Sequence, residues 1–297
     1  RAVRATKARR LLLRDAVMFS LGTARAGRLR VSSVRAHGWL RGLLNELSGG
    51  DAFKVLPAPA SFHGALRPYQ LRGASWLSFL ARWGFGACLA DDMGLGKTVQ
   101  AIAFLLRAKD GGVKRPALIV APLTVVGNWT HELARFAPSL KVLVHQGAAR
   151  AAGLTFARAA AAADVVVTSY SLLVRDFADM ASAEFSALVL DEAQTIKNPL
   201  TRAACAARAL EAPVRIALTG TPLENRVGDL WSLEEFLNPG LLGSRADFAD
   251  DFARPIESDA ASPAAARLRR VLAPFILRRL KTDPAVAAEL GEKRETR

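Results

Sequence analysis

The sequence predicts an α/β fold: a mostly parallel sheet covered by helices on both faces. Three observations lead there. Six short runs rich in Val, Ile, Leu and Ala fall at 86–90, 117–121, 141–144, 164–168, 187–190 and 214–218. Each is apolar on both faces, as buried parallel strands are. Helical patterns, such as those over 128–136 and 201–210, lie between most of them, and strands alternating with helices build parallel sheets. Lastly, the chemically loaded residues follow strand ends: 91–98, Pro122, Thr168, Asp191-Glu192 and Thr219-Gly220-Thr221. Open α/β sheets bind ligands outside those ends.

Taken in order, residues 1–60 read as the helical tail of a preceding domain followed by a linker. Apolar spacing at Trp39, Leu40, Leu43, Leu44 and Leu47 predicts a helix over 34–47, stopped by Gly49-Gly50. Pro57 and Pro59 mark the linker. The first residue is Arg1, so the sequence is expected to be a piece of a longer protein. The lobe proper is expected over 61–240. Its run of Ala residues at 157–163 predicts a short surface helix. A helix over 229–237 is closed by Asn238-Pro239-Gly240. Residues 241–297 then read as a helical appendage leading into a further linker.

The first strand run, 86–90, opens into Asp91-Asp92-Met93-Gly94-Leu95-Gly96-Lys97-Thr98 and a helix. Strand, Gly-rich turn, Gly-Lys-Thr and helix is the layout of a phosphate cradle. Gly94 and Gly96 let the backbone bend close to an anion. Amides and the helix N-terminus then face it. Lys97 would reach the β/γ-phosphates, and the Thr98 hydroxyl would ligate Mg²⁺. The strict pattern has a glycine where this chain has Asp91. The run 187–190 ends in Asp191-Glu192, the expected acidic partner of such a loop. Asp191 would hold Mg²⁺, and Glu192 would orient or deprotonate the attacking water.

Composition narrows the partners. A formal charge of +14 suggests a polyanion, since charge on this scale attracts nucleic acid non-specifically. Residues 1–41 hold eleven Arg and Lys against one acid, Asp15, and a second basic cluster includes Arg267, Arg278, Arg279 and Lys281. No apolar run approaches the roughly 20 residues of a membrane-spanning helix. Two cysteines, Cys88 and Cys205, give neither a disulfide framework nor metal spacing, which points to a reducing, cytosolic compartment. Cys88 is read as a small core residue. His63, His131 and His145 share no metal-like spacing and are read as surface or packing residues.

Six blocks together resemble the first RecA-like lobe of superfamily-two helicase-fold ATPases, specifically bacterial-type Swi/Snf double-stranded DNA translocases. Leu66-Arg67-Pro68-Tyr69-Gln70 with Gly73 and Trp76-Leu77 resembles the adenine-recognising Q motif. Residues 91–98 resemble motif I, with Asp92 where the family usually has Glu. Residues 117–122 with Asn128-Trp129 resemble motif Ia, and 165–170 the next DNA-facing motif. Asp191-Glu192-Ala193-Gln194 resembles motif II, and Leu218 through Asn225 motif III. Trp231-Ser232-Leu233, Phe236-Leu237-Asn238-Pro239 and Pro274-Phe275-Ile276-Leu277-Arg278-Arg279 separate this family from DEAD-box RNA helicases.

The resemblance implies a RecA-like P-loop lobe that binds ATP and Mg²⁺. It implies ATP contacts from Arg67, Gln70, Asp91, Met93, Gly94, Leu95, Gly96, Lys97 and Thr98, with Gln70 reading the adenine edge. Gln194, Thr219, Gly220 and Thr221 would couple nucleotide state to DNA. Pro122, Leu123, Thr168, Ser169 and Asn225 would meet the DNA backbone, which positions without specifying sequence. For Trp129 and Tyr170, core packing is favoured over base stacking. The family needs a second RecA-like lobe, and nothing after Lys281 is long enough to be one. The expected partners are therefore double-stranded DNA and that second lobe. Residues 1–60 are a candidate docking segment for a protein. A strand-separating helicase and an idle docking module on the same fold are the competing readings.

Overall fold

The computed structural model describes residues 37–48, 53–220 and 227–290, preceded by 16–17, 20–21, 25–26 and 29–30. Seven parallel strands form the central sheet: β1 (Ala87–Leu89), β2 (Ala117–Ala121), β3 (Val142–Val144), β4 (Val165–Ser169), β5 (Ala187–Asp191), β6 (Val214–Leu218) and β7 (Ile276–Leu277). Their spatial order is β3-β4-β2-β5-β6-β1-β7. All six strand runs expected from the sequence are present. A separate two-residue antiparallel pair, Arg25–Ala26 with Leu29–Arg30, was not anticipated.

The strands are apolar on both faces because each feeds two cores. Ala87, Leu89, Ile119, Val167, Val189 and Ile216 point into one buried cluster. Their neighbours Cys88, Leu118, Val166, Leu188 and Ala217 point into the other. This is the two-residue period of a strand, with helices covering each side. Helix α1 (Trp39–Ser48) packs through Leu43 and Leu47 into the first cluster. It is followed by α2 (Pro68–Arg82), α3 (Lys97–Asp110), α4 (Leu123–Phe136), α5 (Gly153–Ala162), α6 (Tyr170–Arg175), α7 (Phe177–Ser182), α8 (Arg202–Ala209) and α9 (Val227–Leu237). In α4 the buried residues are Val126, Trp129 and Leu133, a stripe at helical spacing. The helix begins at Leu123, five residues before the pattern read from the sequence.

Asn238 ends α9 and fastens it to the start of β1. Its amide accepts from the Gly86 N–H at 2.9 Å and donates to the Gly86 carbonyl at 3.3 Å. Gly86 must lack a side chain, since a Cβ there would lie 2.4 Å from the Leu237 carbonyl oxygen.

The appendage is helical, as expected: α10 (Arg245–Phe248), a π turn (Ala249–Ala253), α11 (Arg254–Ser258) and α12 (Pro263–Leu272). The segment after these helices is extended rather than helical. Ile276 and Leu277 return to the sheet and pair with Cys88 and Leu89 as β7. That strand makes β1 interior to the sheet. A short helix, α13 (Pro284–Leu290), follows and packs Val286 against Tyr69 and Leu95.

Candidate active site

Strand register sets the site. Leu89 of β1 pairs with Leu218 of β6, and Leu218 pairs with Asp191 of β5. The three strand ends are therefore level. The loop after β1 and the acids of β5 stand two strand spacings apart, about 10 Å.

The loop after β1 turns through Gly94 and Gly96, with φ of 85° and 77°. Only glycine adopts such angles freely. Gly96 caps α3 without any side-chain bond to the helix amides. Its missing Cβ matters too, since one there would lie 2.5 Å from the Gln70 amide nitrogen. Lys97 opens α3 and donates its ammonium to the Asp91 carbonyl at 2.7 Å. Gln70 lies alongside. Its Oε1 accepts from the Arg67 amide at 3.0 Å, and its Nε2 donates to the Leu95 carbonyl at 3.3 Å. Met93 is exposed at the mouth, and a Cβ on Gly220 would meet its Cγ at 3.3 Å.

Two of the expected ATP contacts are placed differently. Asp91 is fully buried, and its carboxylate is held by Arg279 and by the Gln100 amide at 3.1 Å. Leu95 is fully buried as well. Each can serve a nucleotide only through its backbone. Arg279 also donates to the Tyr69 carbonyl and to Gln100 Oε1 at 2.7 Å. This arrangement is open to the chain only because residue 73 is glycine. A Cβ there would sit 1.8 Å from Gln100 Oε1.

Asp191 ends β5 and is almost wholly buried. Its Oδ2 accepts the Trp129 indole N–H at 2.8 Å, and its Oδ1 accepts the Glu192 amide at 2.9 Å. Its carbonyl accepts the Tyr170 hydroxyl at 2.8 Å. Burial pushes the Asp191 carboxyl above its usual range, against the pull of the Trp129 and Glu192 N–H groups and the Lys97 charge. Glu192 has φ 47°, the only left-handed non-glycine backbone among the described residues. Gln194 donates to Glu192 Oε2 at 2.7 Å, and the Thr219 hydroxyl donates to Gln194 Oε1 at 2.8 Å. The Thr219 amide in turn donates to the Leu89 carbonyl at 3.1 Å. A continuous hydrogen-bonded chain thus joins the end of β1 to Glu192.

The donor set suits a magnesium nucleotide. Among the described residues no group of three or more His, Cys, Asp or Glu could cage a metal ion. Magnesium bound together with phosphates needs only one or two protein oxygens, and the Thr98 hydroxyl and Asp191 carboxylate are such oxygens.

The nucleic-acid candidates fare unevenly. Thr168 and Ser169 are buried as the last two residues of β4. The Thr168 hydroxyl donates to the His145 carbonyl at 3.1 Å, and Ser169 pairs with Ser171 at 2.9 Å. Both hydroxyls are thus engaged within the protein, on a strand that lies between β3 and β2 in the sheet. Leu123 is 56% exposed, and Pro122 beside it is half-buried. Thr221 and Asn225 lie outside the described residues. His63 and His131 are exposed, whereas His145 is buried and bonds Asp176 at 2.9 Å.

Sequence reasoning missed Arg279 and Gln100 as supports of the loop. It also missed the bonds from Trp129 and Tyr170 to Asp191. Arg279 stood in a quoted motif, but its pairing with Asp91 spans 188 residues and left no local signal.

The chain matches the SNF2-related domain family over residues 69–296. It is 47% identical over 257 residues to the putative ATP-dependent helicase/translocase YwqA of Bacillus subtilis, covering 86% of this chain and 28% of that protein. It is 36% identical over 266 residues to the TATA-binding protein-associated factor MOT1 of Saccharomyces cerevisiae, covering 82% of this chain and 14% of that one. Among solved structures, the Sulfolobus solfataricus SWI2/SNF2 ATPase core in complex with dsDNA superposes with a TM-score of 0.74 at 44% identity. The match covers 80% of this chain and 49% of that core. The chain thus spans less than a third of the curated relatives compared and about half of the solved core.

Proposed function

This chain belongs to the SNF2-related domain family, and from that premise we propose that it is the first motor lobe of an ATP-driven double-stranded DNA translocase. Lys97 holds the β/γ-phosphates, leaving the Asp91 carbonyl it bonds at 2.7 Å. The amides of the loop and of the first turn of α3 supply further donors. Arg67 and Gln70 line the adenine side. Thr98 and Asp191 would hold Mg²⁺, which would supply positive charge against the phosphate oxygens. Glu192 orients the attacking water and accepts its proton. Gln194 and Thr219 tie Glu192 to the end of β1, so a change at the phosphate loop reaches it through three hydrogen bonds.

The observation that carries this reading is the level row of strand ends. It sets a glycine loop with Lys97 two strands from Asp191 and Glu192, with Thr219 between. The net charge of +14 supports a DNA partner, and the Sulfolobus core was solved with dsDNA. Leu123 and Pro122 are the surface candidates for that contact.

Duplex DNA added to the full-length protein should stimulate ATP hydrolysis, and the protein should displace a triplex-forming strand without unwinding the duplex. Unwinding would instead support a strand-separating helicase, and absent hydrolysis an idle docking module. The isolated chain should turn over ATP very slowly. An arginine finger from a second lobe is worth ~10³–10⁵ in rate. Strong DNA stimulation of the isolated chain would overturn that dependence.

A further inference from the structure

Asp191 is braced by two aromatic residues from different helices. Trp129, fully buried on α4, reaches carboxylate Oδ2 with its indole N–H. Tyr170, buried at the head of α6, reaches the Asp191 carbonyl with its hydroxyl. Packing alone asks for neither polar atom, since a phenylalanine would fill the space of Tyr170, and a bicycle without the N–H that of Trp129. Both donors are neutral. A lysine or arginine at either place would orient the acid but cancel the charge that a divalent cation needs. An indole N–H fixes the carboxylate and leaves its charge intact.

The two bonds act on different atoms. The indole and the Glu192 amide each take one carboxylate oxygen, at 2.8 and 2.9 Å, which fixes the rotation of the carboxylate. The phenol holds the peptide linking Asp191 to Glu192. That peptide leads directly into the left-handed Glu192, a conformation that persists only where surrounding structure enforces it.

We propose that Trp129 and Tyr170 are positioning residues for the acid pair: the indole aims Asp191 at the metal, and the phenol aims Glu192 at the water. This rests on the reading of Asp191 as a magnesium ligand and Glu192 as the base. Groups that orient metal ligands from outside the coordination sphere are typically worth about 10–100-fold in metal affinity or activity.

The test uses the full-length protein with two changes. Trp129 is replaced by β-(3-benzothienyl)alanine, which keeps the bicycle and lacks the N–H, and Tyr170→Phe is made separately. Calorimetry compares binding of the non-hydrolysable analogue AMP-PNP in Mg²⁺ and in EDTA. In the benzothienyl variant, binding in EDTA should match the wild type within about twofold, and the gain from Mg²⁺ should fall about tenfold. In Tyr170→Phe the Mg²⁺ gain should be kept, while kcat falls about tenfold at nearly unchanged KM. A role in packing alone would move the thermal midpoint and leave both readouts in place. An intact Mg²⁺ gain removes Trp129 from the proposal, and an intact kcat removes Tyr170. If AMP-PNP binding to the wild type ignores Mg²⁺, the metal reading of Asp191 fails and takes this inference with it.

Discussion

Arg279 closes on Asp91 across 188 residues of sequence, with its Nε 2.9 Å from Oδ1 and its Nη2 on Oδ2. The carboxylate is fully buried and the guanidinium side chain is 11% exposed. The contact is two-pronged, the strong geometry for this pair. It holds the phosphate loop from behind, using a residue that lies beyond the helical appendage.

Removing one partner of a buried ion pair strands the other charge, which costs about 3–5 kcal/mol. Arg279→Met should therefore lower the unfolding free energy by that amount in urea titrations. Asp91→Leu combined with Arg279→Met should recover most of the loss, because no charge is left unpaired. A single-variant cost below about 1 kcal/mol would show the pair to be unimportant.

Gly73→Ala should damage the same cluster. The added Cβ would meet Gln100 Oε1 at 1.8 Å and Arg279 Nη2 at 2.8 Å, so both must shift. Overpacking of this kind costs about 1–3 kcal/mol. Nucleotide binding should weaken with it, as the loop loses its support. Gly127→Ala is the matched control. It lies on α4 with nothing within 4 Å of the added Cβ and should stabilise by about 0.5–1 kcal/mol.

Glu234 should make stability depend on pH. It is fully buried, one oxygen has no partner, and the other accepts from Asn238 at 3.2 Å. Burial pushes its carboxyl from 4.5 up to about 7, with the Asn238 bond pulling the other way. The folded state thus binds this proton more tightly than the unfolded chain. Its contribution is complete below about 4.5 and is lost as pH rises through about 7. Glu234→Gln should remove that slope and gain at most about 3 kcal/mol over the parent near pH 8. Urea midpoints across the range would read it, and parallel pH profiles for parent and variant would count against it.

Lys97→Ala and Glu192→Gln should separate binding from chemistry in the full-length protein. Loss of the Lys97 ammonium should weaken ATP binding and hydrolysis together. Glu192→Gln should keep ATP binding while hydrolysis falls by about 10²–10⁴-fold, the usual worth of a positioned acid–base group. Binding by fluorescent nucleotide and turnover by phosphate release would tell them apart. Undiminished turnover in either variant would remove that residue from the site.

The sheet was legible because its longer strands are built mostly of Val, Ile, Leu and Ala, and residues 91–98 and 191–192 mark its loaded ends. β7 was not legible, since two residues carry no period and Ile276 pairs only with the distant Cys88. Thr168 was expected at the DNA because residues 165–170 resemble a DNA-facing motif, and the structure buries its side chain. Its burial follows from the position of β4 between β3 and β2, which no local pattern reveals. Trp129 was rightly read as buried, but its N–H answers to an acid 62 residues away. The local patterns located the strand ends, whereas the buried partners behind them depend on contacts between distant parts of the chain.

The lateness of β7 bears on how the lobe matures during synthesis. The amides of Cys88, Ala90 and Asp92 bond the carbonyls of Phe275, Leu277 and Arg279, at 2.8, 2.7 and 3.0 Å. A growing chain has six strands outside the ribosome well before those acceptors are made. At ~5–20 residues per second, the wait is on the order of seconds. Until then β1 is an open edge and Asp91 is an acid without its cation. A nascent lobe should therefore gain its grip on nucleotide only once its last strand has docked.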